Sequence, residues 1–250
     1  MQQASFRFYG ELNDFLAAEQ RDMPLVYRFD GCPAVTDAIE AIGVPHPEVA
    51  VIRINDHAVG FFHGLNNGEA VVVYGHAAYP DVEETFIQPF LPAGVPRFVL
   101  DVHLGKLAGF MRTAGFDSWH STTDPGDERL AEIADIQNRV LLTRDVGLLK
   151  RSRVRFGYWL RAIQSREQFV EVVRHYQLAR DFVPFSRCSH CNGMVKPVDK
   201  RDIIKQLPGG IARDPEQLKF VQCTECGHVY WQGSHYTRMQ QFFTSVLNEA

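Results

Sequence analysis

Apolar and polar residues alternate along short stretches of the first 88 residues, and this alternation predicts β-strands. The predicted strands span residues 5–9, 25–29, 48–55, 58–62 and 68–74. A helix is predicted after Thr36, which we expect to cap it, because Ala38, Ile39 and Ile42 share one face and Gly43 follows. A short helical segment is also predicted at residues 11–18. This region is therefore predicted to be a small sheet crossed by one helix.

From residue 97 the pattern changes to strands that alternate with helices. Strands are predicted at residues 97–100, 116–120, 139–143 and 156–162. One helix is predicted at residues 104–114, and a second begins at Asp127, which we expect to be its cap. A third is predicted from Ser165 to Leu178, with Ser165 and Gln168 as a capping box. Strands that are apolar on both faces and separated by helices are typical of a parallel sheet. The predicted fold class is α/β, with a parallel-sheet domain after the N-terminal sheet domain.

The stretch from residue 88 to residue 96 contains three prolines and a glycine, which continue neither a helix nor a central strand. We therefore predict an N-terminal domain at 1–88, a linker at 89–96 and an α/β domain at 97–182. The remaining residues, 183–250, are predicted to form a cysteine-containing module and a C-terminal helix.

The composition is typical of a globular protein, with 45% hydrophobic and 22% charged residues. No apolar run approaches the roughly 18–20 residues of a membrane helix, and the N-terminus lacks the pattern of a signal peptide. We therefore expect a cytoplasmic protein that does not enter a membrane. Charge is unevenly distributed, because residues 1–95 contain four basic and thirteen acidic side chains and the remainder is basic. An acidic first domain is expected to attract a basic partner.

Two Cys-x-x-Cys pairs form the most specific motif of the chain. Cys188 and Cys191 are separated by 31 residues from Cys223 and Cys226, and each pair is followed closely by a glycine. Four thiolates in two such turns are typical of a closed, structural Zn²⁺ site. A redox-active dithiol is the alternative, but the matched second pair argues against it. Because four cysteines complete the site, we expect the nearby histidines not to be ligands.

Acidic residues follow two of the predicted parallel strands. Asp101 comes directly after the first strand and Asp145 after the third, and Asp124, Asp127 and Glu128 lie before the helix between them. Ligands of such sheets bind outside the carboxyl ends of the strands. Clustered carboxylates repel each other unless a cation neutralises them, and their oxygens suit Mg²⁺ or Mn²⁺. Each acid taken alone has an ordinary structural alternative as a turn former or a helix cap.

A basic run follows Asp145 closely. Lys150, Arg151, Arg153 and Arg155 place four cations within six residues. Cations beside an acidic metal site suit a polyanionic substrate such as RNA, whereas a solvated basic surface is the alternative.

The order of strands and helix in residues 1–88 resembles the ubiquitin-like β-grasp fold, most closely the small sulfur carriers. The segments Phe-Arg-Phe-Tyr-Gly-Glu-Leu and Val-x-Val-Tyr mark its first and last strands. Sulfur carriers act through a free C-terminal Gly-Gly, whereas Val73-Tyr74-Gly75 here continues into more than 170 further residues. Carrier chemistry is therefore not expected, and the resemblance implies a docking or structural role.

The segment Leu-Leu-Thr-Arg-Asp145, together with Phe-Val-Leu-Asp101 and Asp127-Glu, resembles the PIN-like ribonuclease family found at the C-terminus of Mut-seven exonucleases. Bacterial members often carry a β-grasp domain in front, which is the order found here. The resemblance implies that Asp101, Asp127 and Asp145 are catalytic metal-binding acids, with Asp124 and Glu128 as alternatives for the middle position. With this resemblance, the predicted fold is an N-terminal β-grasp domain followed by a PIN-like α/β domain with a C-terminal zinc ribbon.

Two functions of different classes are compatible with these features. The first is a metal-dependent ribonuclease with a catalytic Mg²⁺ or Mn²⁺ and a structural Zn²⁺. The second is a non-catalytic adaptor, in which the zinc ribbon and the basic residues bind RNA or protein and the carboxylates are structural. Thermal stability with and without Mn²⁺ distinguishes the two, because a neutralised carboxylate cluster is stabilised when metal binds.

Overall fold

The computed structural model describes residues 1–213 and 218–249. The strands are β1 (Gln2–Tyr9), β2 (Leu25–Phe29), β3 (Val49–Ile54), β4 (His57–Val59), β5 (Ala70–Gly75), β6 (Phe98–Leu100), β7 (Ser118–Trp119), β8 (Val140–Thr143), β9 (Gly157–Trp159), β10 (Val195–Val198), β11 (Phe220–Cys223) and β12 (Val229–Trp231). The helices are α1 (Val35–Ile42), α2 (Gly105–Thr113), α3 (Asp127–Ile136), α4 (Val146–Leu149), α5 (Ser165–His175), α6 (Lys200–Ile203), α7 (Gly209–Arg213) and α8 (Ser234–Glu249). None of the helices in these ranges is both long and apolar enough to cross a membrane.

Contacts divide the chain into two compact units, each made of two segments. The first unit joins Met1–Gly94 to Gly126–Trp159, and the second joins Val95–Pro125 to Leu160–Ala250. The domain boundaries expected from composition, at residues 88, 97 and 182, remain a prediction.

The N-terminal sheet of the first unit has the strand order β2-β1-β5-β3-β4. Its central strands β1 and β5 are parallel, whereas β2, β3 and β4 pair antiparallel with their neighbours. Alternation places Ala4, Phe6 and Phe8 of β1 in the core, where they meet Ala38 and Ile39 of α1. A mixed sheet crossed by one helix confirms the predicted N-terminal sheet domain.

The start of α1 differs from the prediction. Thr36 lies within the first turn, and Ala34 occupies the cap position without a side-chain bond. The Thr36 hydroxyl instead donates to the carbonyl of Phe61, 25 residues later in the chain. A tertiary hydrogen bond therefore replaces the expected local cap.

Parallel strands follow the linker, as predicted for an α/β domain. In the first unit β8 pairs in parallel with β9, and in the second unit β6 pairs in parallel with β7. Strand β8 reads Val-Leu-Leu-Thr and is buried at all four positions, which is expected of a strand covered on both faces. Strand β9 is shorter than predicted, because pairing with β8 ends at Trp159.

The core of the second unit is rich in aromatic rings. The ring of Phe169 in α5 lies 5.5–6.0 Å from the rings of Phe110, Phe182, Phe242 and Phe243. These contacts join α5 to α2 and to α8. Aromatic pairs at this distance contribute roughly 0.5–1.5 kcal/mol beyond their buried area.

The predicted capping box at the start of α5 is not formed. Gln164 is the cap residue and makes no side-chain cap bond. Gln168 is buried and its amide donates to the carbonyl of Ala162 at 3.1 Å, so it secures the preceding turn.

The cysteine-containing module is built on an antiparallel sheet of order β10-β11-β12. The segment between β10 and β11 contains the short helices α6 and α7. Ile203, Leu207 and Phe220 form a small buried cluster between these helices and the sheet.

Candidate functional site

The sulfur atoms of Cys188, Cys191, Cys223 and Cys226 all lie within 4.8 Å of one another. Two of the distances are 3.7 Å, from Cys188 Sγ to Cys226 Sγ, and 3.4 Å, from Cys191 Sγ to Cys223 Sγ. A disulfide would require about 2.0 Å. Four sulfurs arranged tetrahedrally at about 2.3 Å from a zinc ion are about 3.8 Å apart. The cluster therefore fits a structural Zn²⁺ ion and not a pair of disulfides.

Backbone groups support the sulfur atoms on both turns. The N–H of Cys191 donates to Cys188 Sγ, and the N–H of Glu225 donates to Cys223 Sγ, each at 3.4 Å. Gly193 lies so close that a Cβ atom there would be 2.9 Å from Glu225 Cβ and 3.1 Å from Cys223 Sγ. A glycine after the first pair is thus a steric requirement of the turn.

The thiols differ in how easily they lose a proton. Burial raises the pKa of Cys188, but hydrogen bonds from the Tyr230 hydroxyl and from nearby backbone N–H groups lower it to about 7. Burial and the neighbouring sulfurs raise the pKa of Cys191 to about 12. A second thiolate in the cluster is disfavoured by repulsion, and a bound divalent cation removes this repulsion as it displaces the protons.

Arg112 connects the first cysteine turn to the α/β part of the second unit. It is buried, and its Nε donates to the carbonyl of Ser118 in β7 at 2.8 Å. Its Nη1 donates to the carbonyls of Ser189 at 3.2 Å and His190 at 2.8 Å. Burial lowers its pKa, while the charges of the cysteines and Asp117 act in the opposite direction.

Asn192 makes a second connection beside Arg112. Its amide nitrogen donates to Asp117 Oδ1 at 2.9 Å, and its amide oxygen accepts from the N–H of Ser118 at 3.0 Å. Neither Arg112 nor Asn192 was predicted from the sequence. The available signal was an arginine beside the apolar positions of a helix and an asparagine directly after the second cysteine.

Asp145 lies in the first unit at the carboxyl end of β8. Its Oδ1 accepts from the N–H groups of Gly147 at 2.7 Å and Leu148 at 3.3 Å, so it caps α4. Its own N–H donates to the Thr143 hydroxyl at 2.9 Å. These bonds fix an exposed carboxylate at the end of a parallel strand.

Asp127 also lies in the first unit, where it contacts a member of the basic run. Its Oδ2 is 3.3 Å from Arg151 Nη2, and both side chains are about half exposed, 47% and 44%. Asp127 is the first residue of α3, and Gly126 is the cap, so the predicted capping role of Asp127 is wrong. Glu128 is the next residue of the same turn and is exposed.

Asp101 and Asp124 belong to the second unit. Asp101 is half-buried directly after β6, and its carbonyl accepts from the N–H of Leu104 at 2.9 Å. His120 Nε2 lies 3.0 Å from the carbonyl of Val102 in the same turn. Asp124 is exposed. The metal-binding role of Asp101, Asp127 and Asp145 remains a prediction.

Two residues of the basic run contact groups elsewhere in the first unit, and the other two are exposed. Lys150 Nζ donates to the carbonyl of Glu40 at 2.7 Å, and burial lowers its pKa against the opposing charge of Glu40. Arg151 pairs with Asp127. Arg153 and Arg155 are exposed, with the guanidinium of Arg155 5.7 Å from the ring centre of Phe156. Of the four predicted RNA-binding residues, Lys150 and Arg151 thus contact Glu40 and Asp127. Arg153 and Arg155 are the other two, and both are exposed.

Contacts within the first unit join the N-terminal sheet domain to the segment after α3. Glu48 is 2% exposed, and its Oε1 accepts from the N–H of Trp159 at 2.6 Å. His46 Nε2 lies 2.7 Å from the carbonyl of Val154, while its Nδ1 lies 2.6 Å from Glu40 Oε1. The N-terminal sheet domain thus contacts β9 at Trp159 and the segment before it at Val154.

Comparisons with known proteins confirm both parts of the predicted resemblance. The family model described as the Mut7-C RNAse domain matches residues 96–243, and the one described as Mut7-C ubiquitin matches residues 1–81. A human protein named exonuclease mut-7 homolog is 24% identical over 237 residues. That alignment covers 65% of this chain and 27% of the human protein, so the chain spans about a quarter of this relative. No solved structure matches the chain significantly.

Proposed function

The chain belongs to the Mut7-C RNAse domain family, and on this premise we propose that it is a cytoplasmic, PIN-like ribonuclease that hydrolyses RNA phosphodiester bonds. The observation that carries the proposal is Asp145. Its carboxylate is exposed and held by two backbone N–H groups at the carboxyl end of a parallel strand, where ligands of such sheets bind.

The catalytic ion is proposed to be Mg²⁺ or Mn²⁺, held by Asp101, Asp127 and Asp145, with Asp124 or Glu128 as alternatives for the middle acid. Carboxylate oxygens are the donors these hard cations prefer. When bound, such an ion activates water and stabilises negative charge on the phosphodiester. The protein contributes orientation, because the cap of α4 limits the rotation of the Asp145 side chain.

Arg151 and its neighbours have separate roles in this proposal. Arg151 neutralises Asp127 before a metal ion binds, since their charged groups are 3.3 Å apart. Arg153 and Arg155, which are exposed, bind phosphates of the RNA. The zinc ion has a structural role, because four thiolates leave no open coordination position.

The alternative function is a non-catalytic RNA- or protein-binding adaptor. Two observations favour it, namely the ion pair of Asp127 with Arg151 and the cap that Asp145 forms. Both acids have structural partners without a metal ion. In an adaptor these would be their only roles.

Cleavage of single-stranded and structured RNA by Asp145→Asn and by wild-type protein tests the proposal. The assay uses Mn²⁺, Mg²⁺ or no added divalent ion, with zinc content verified after dialysis. We expect metal-dependent cleavage that the variant loses, while RNA binding through Arg153 and Arg155 persists. Asp135→Asn, which removes an exposed charge from the other end of α3, is the matched control and should cleave normally. Absence of metal-dependent cleavage in the wild type would favour the adaptor.

A further inference from the structure

A groove of about 1120 Å³ lies beside the zinc ribbon in the second unit. It is bordered by residues of β10, β11 and β12 and by the first turn of α8. Five phenylalanine, tyrosine and tryptophan side chains line it, and the argument concerns three that are half-buried, namely Phe185, Trp231 and Tyr236. Neither the cysteine cluster nor the acidic residues account for this groove.

We propose that the groove binds single-stranded RNA, with bases stacked on Trp231 and Tyr236 and phosphates near Lys219 and the start of α8. The proposal rests on the proposed function, because it takes RNA as the ligand. It adds a binding site that is distinct from the acidic residues. The substrate class it favours is RNA with an unpaired segment, since only unpaired bases can stack on side chains.

The aromatic residues are held in fixed positions. The rings of Phe185 and Tyr236 have centres 4.2 Å apart at an angle of 32°. Phe185 has a φ of +62°, which is rare for a bulky residue, and its N–H donates to the carbonyl of Thr113 at 2.7 Å. Backbone strain of this kind is found preferentially where a ligand is bound.

Trp231 is positioned by the glycine that follows it closely. A Cβ atom at Gly233 would lie 3.0 Å from the indole Nε1 and 3.2 Å from Cδ1. A side chain at residue 233 would therefore require the indole to shift by a few tenths of an ångström. A half-buried indole with an accessible face provides a surface on which a base can stack.

The charge of the groove suits a polyanion. Lys200 and exposed Lys219 line it, and the lining carboxylate of Asp199 is paired with Arg201 at 2.9 Å. Helix α8 has 16 residues, begins at the groove with Ser234, and has no acidic residue in its first turn. The first N–H groups of a helix lack intrahelical partners and carry a partial positive charge, which favours a phosphate. Planar rings, lysines and a helix N-terminus together fit a chain of bases and phosphates better than an acidic peptide, which has no bases to stack.

The experiment measures binding of a fluorescein-labelled 12-nucleotide oligouridine with phosphorothioate linkages to full-length protein without added divalent ions. Trp231→Leu should weaken binding roughly tenfold, while Trp231→Phe, which keeps a ring, should retain most of the affinity. Lys219→Gln should reduce the slope of log affinity against log salt by about 0.7. Lys196→Gln is the matched control, because this exposed lysine lies on the same sheet but does not line the groove.

Each variant is checked for one bound zinc ion and unchanged circular dichroism, and the exposed Lys219 keeps the test valid if Trp231→Leu fails to fold. Equal binding and equal salt dependence in the wild type, in Lys219→Gln and in a folded Trp231→Leu, or no binding at all, would overturn the proposal. So would binding of poly-glutamate in place of the oligonucleotide, which would assign the groove to a protein partner. Cleavage with Mn²⁺ is measured separately. Groove-dependent binding without cleavage would refute only the ribonuclease, and cleavage without groove-dependent binding would refute only the groove.

Discussion

Replacing Glu48 by leucine should destabilise the first unit, because it removes the acceptor of a partly buried hydrogen bond. The Glu48 carboxylate accepts from the N–H of Trp159 at 2.6 Å, and Glu48 is 2% exposed. A buried N–H left without a partner costs about 1–3 kcal/mol. For a unit of this size each kcal/mol lowers Tm by roughly 3–6 °C. Leucine fills a similar volume, so most of the loss should come from the hydrogen bond and not from a cavity.

Urea unfolding of the full-length variants, followed by Trp fluorescence, measures this effect. Glu48→Gln keeps an acceptor oxygen and should lose much less stability than Glu48→Leu. Glu19→Leu is the matched control, since Glu19 is exposed, and it should change stability by less than about 0.5 kcal/mol. Amide exchange at Trp159 should also become faster in Glu48→Leu alone. Equal stability of Glu48→Leu and Glu48→Gln would refute the reasoning.

Three further predictions concern the metal site, its support and pH. Cys226→Ser should release zinc, measured by elemental analysis, and make the cysteine-containing module more susceptible to limited proteolysis. Retained zinc would contradict a four-thiolate site. Arg112→Met should lower the free energy of unfolding by about 2–4 kcal/mol, because it leaves three carbonyls without their donor. It should also speed the loss of zinc to a chelator. The control Lys106→Met, on the exposed side of α2, should have neither effect. Burial lowers the pKa of His76 to about 4 in the folded state. Between pH 6.5 and 4 the imidazole is therefore protonated in the unfolded chain but neutral in the folded one. The free energy of unfolding should consequently fall by up to about 3 kcal/mol from pH 6.5 to 4. His76→Phe should flatten that part of the pH dependence in urea unfolding, and an unchanged slope would rule out His76 as its source.

The features that sequence predicted best depend on regular spacing. Alternation in β1 is a direct consequence of side chains pointing to opposite faces, so Phe6 and Phe8 could be assigned to the core. The two cysteine pairs predicted a cluster because each pair forms one tight turn, and the sheet brings the turns together.

The features that sequence did not predict depend on partners far along the chain. Thr36 was expected to cap its own helix, but the carbonyl of Phe61 offers its hydroxyl a tertiary acceptor. Lys150 was grouped with three arginines by proximity in sequence, yet its partner Glu40 is 110 residues away. Local patterns identify which residues are polar and which are apolar, but not which distant group satisfies each polar atom.

The division of the first unit between two segments has a consequence for its synthesis. His46 meets Val154, which is 108 residues later in the chain. At a translation rate of about 5–20 residues per second, the N-terminal segment leaves the ribosome roughly 5–20 s before this partner exists. During that interval the residues that later contact β9 are uncovered, so the nascent chain offers a transient surface on which chaperones can act before the unit closes.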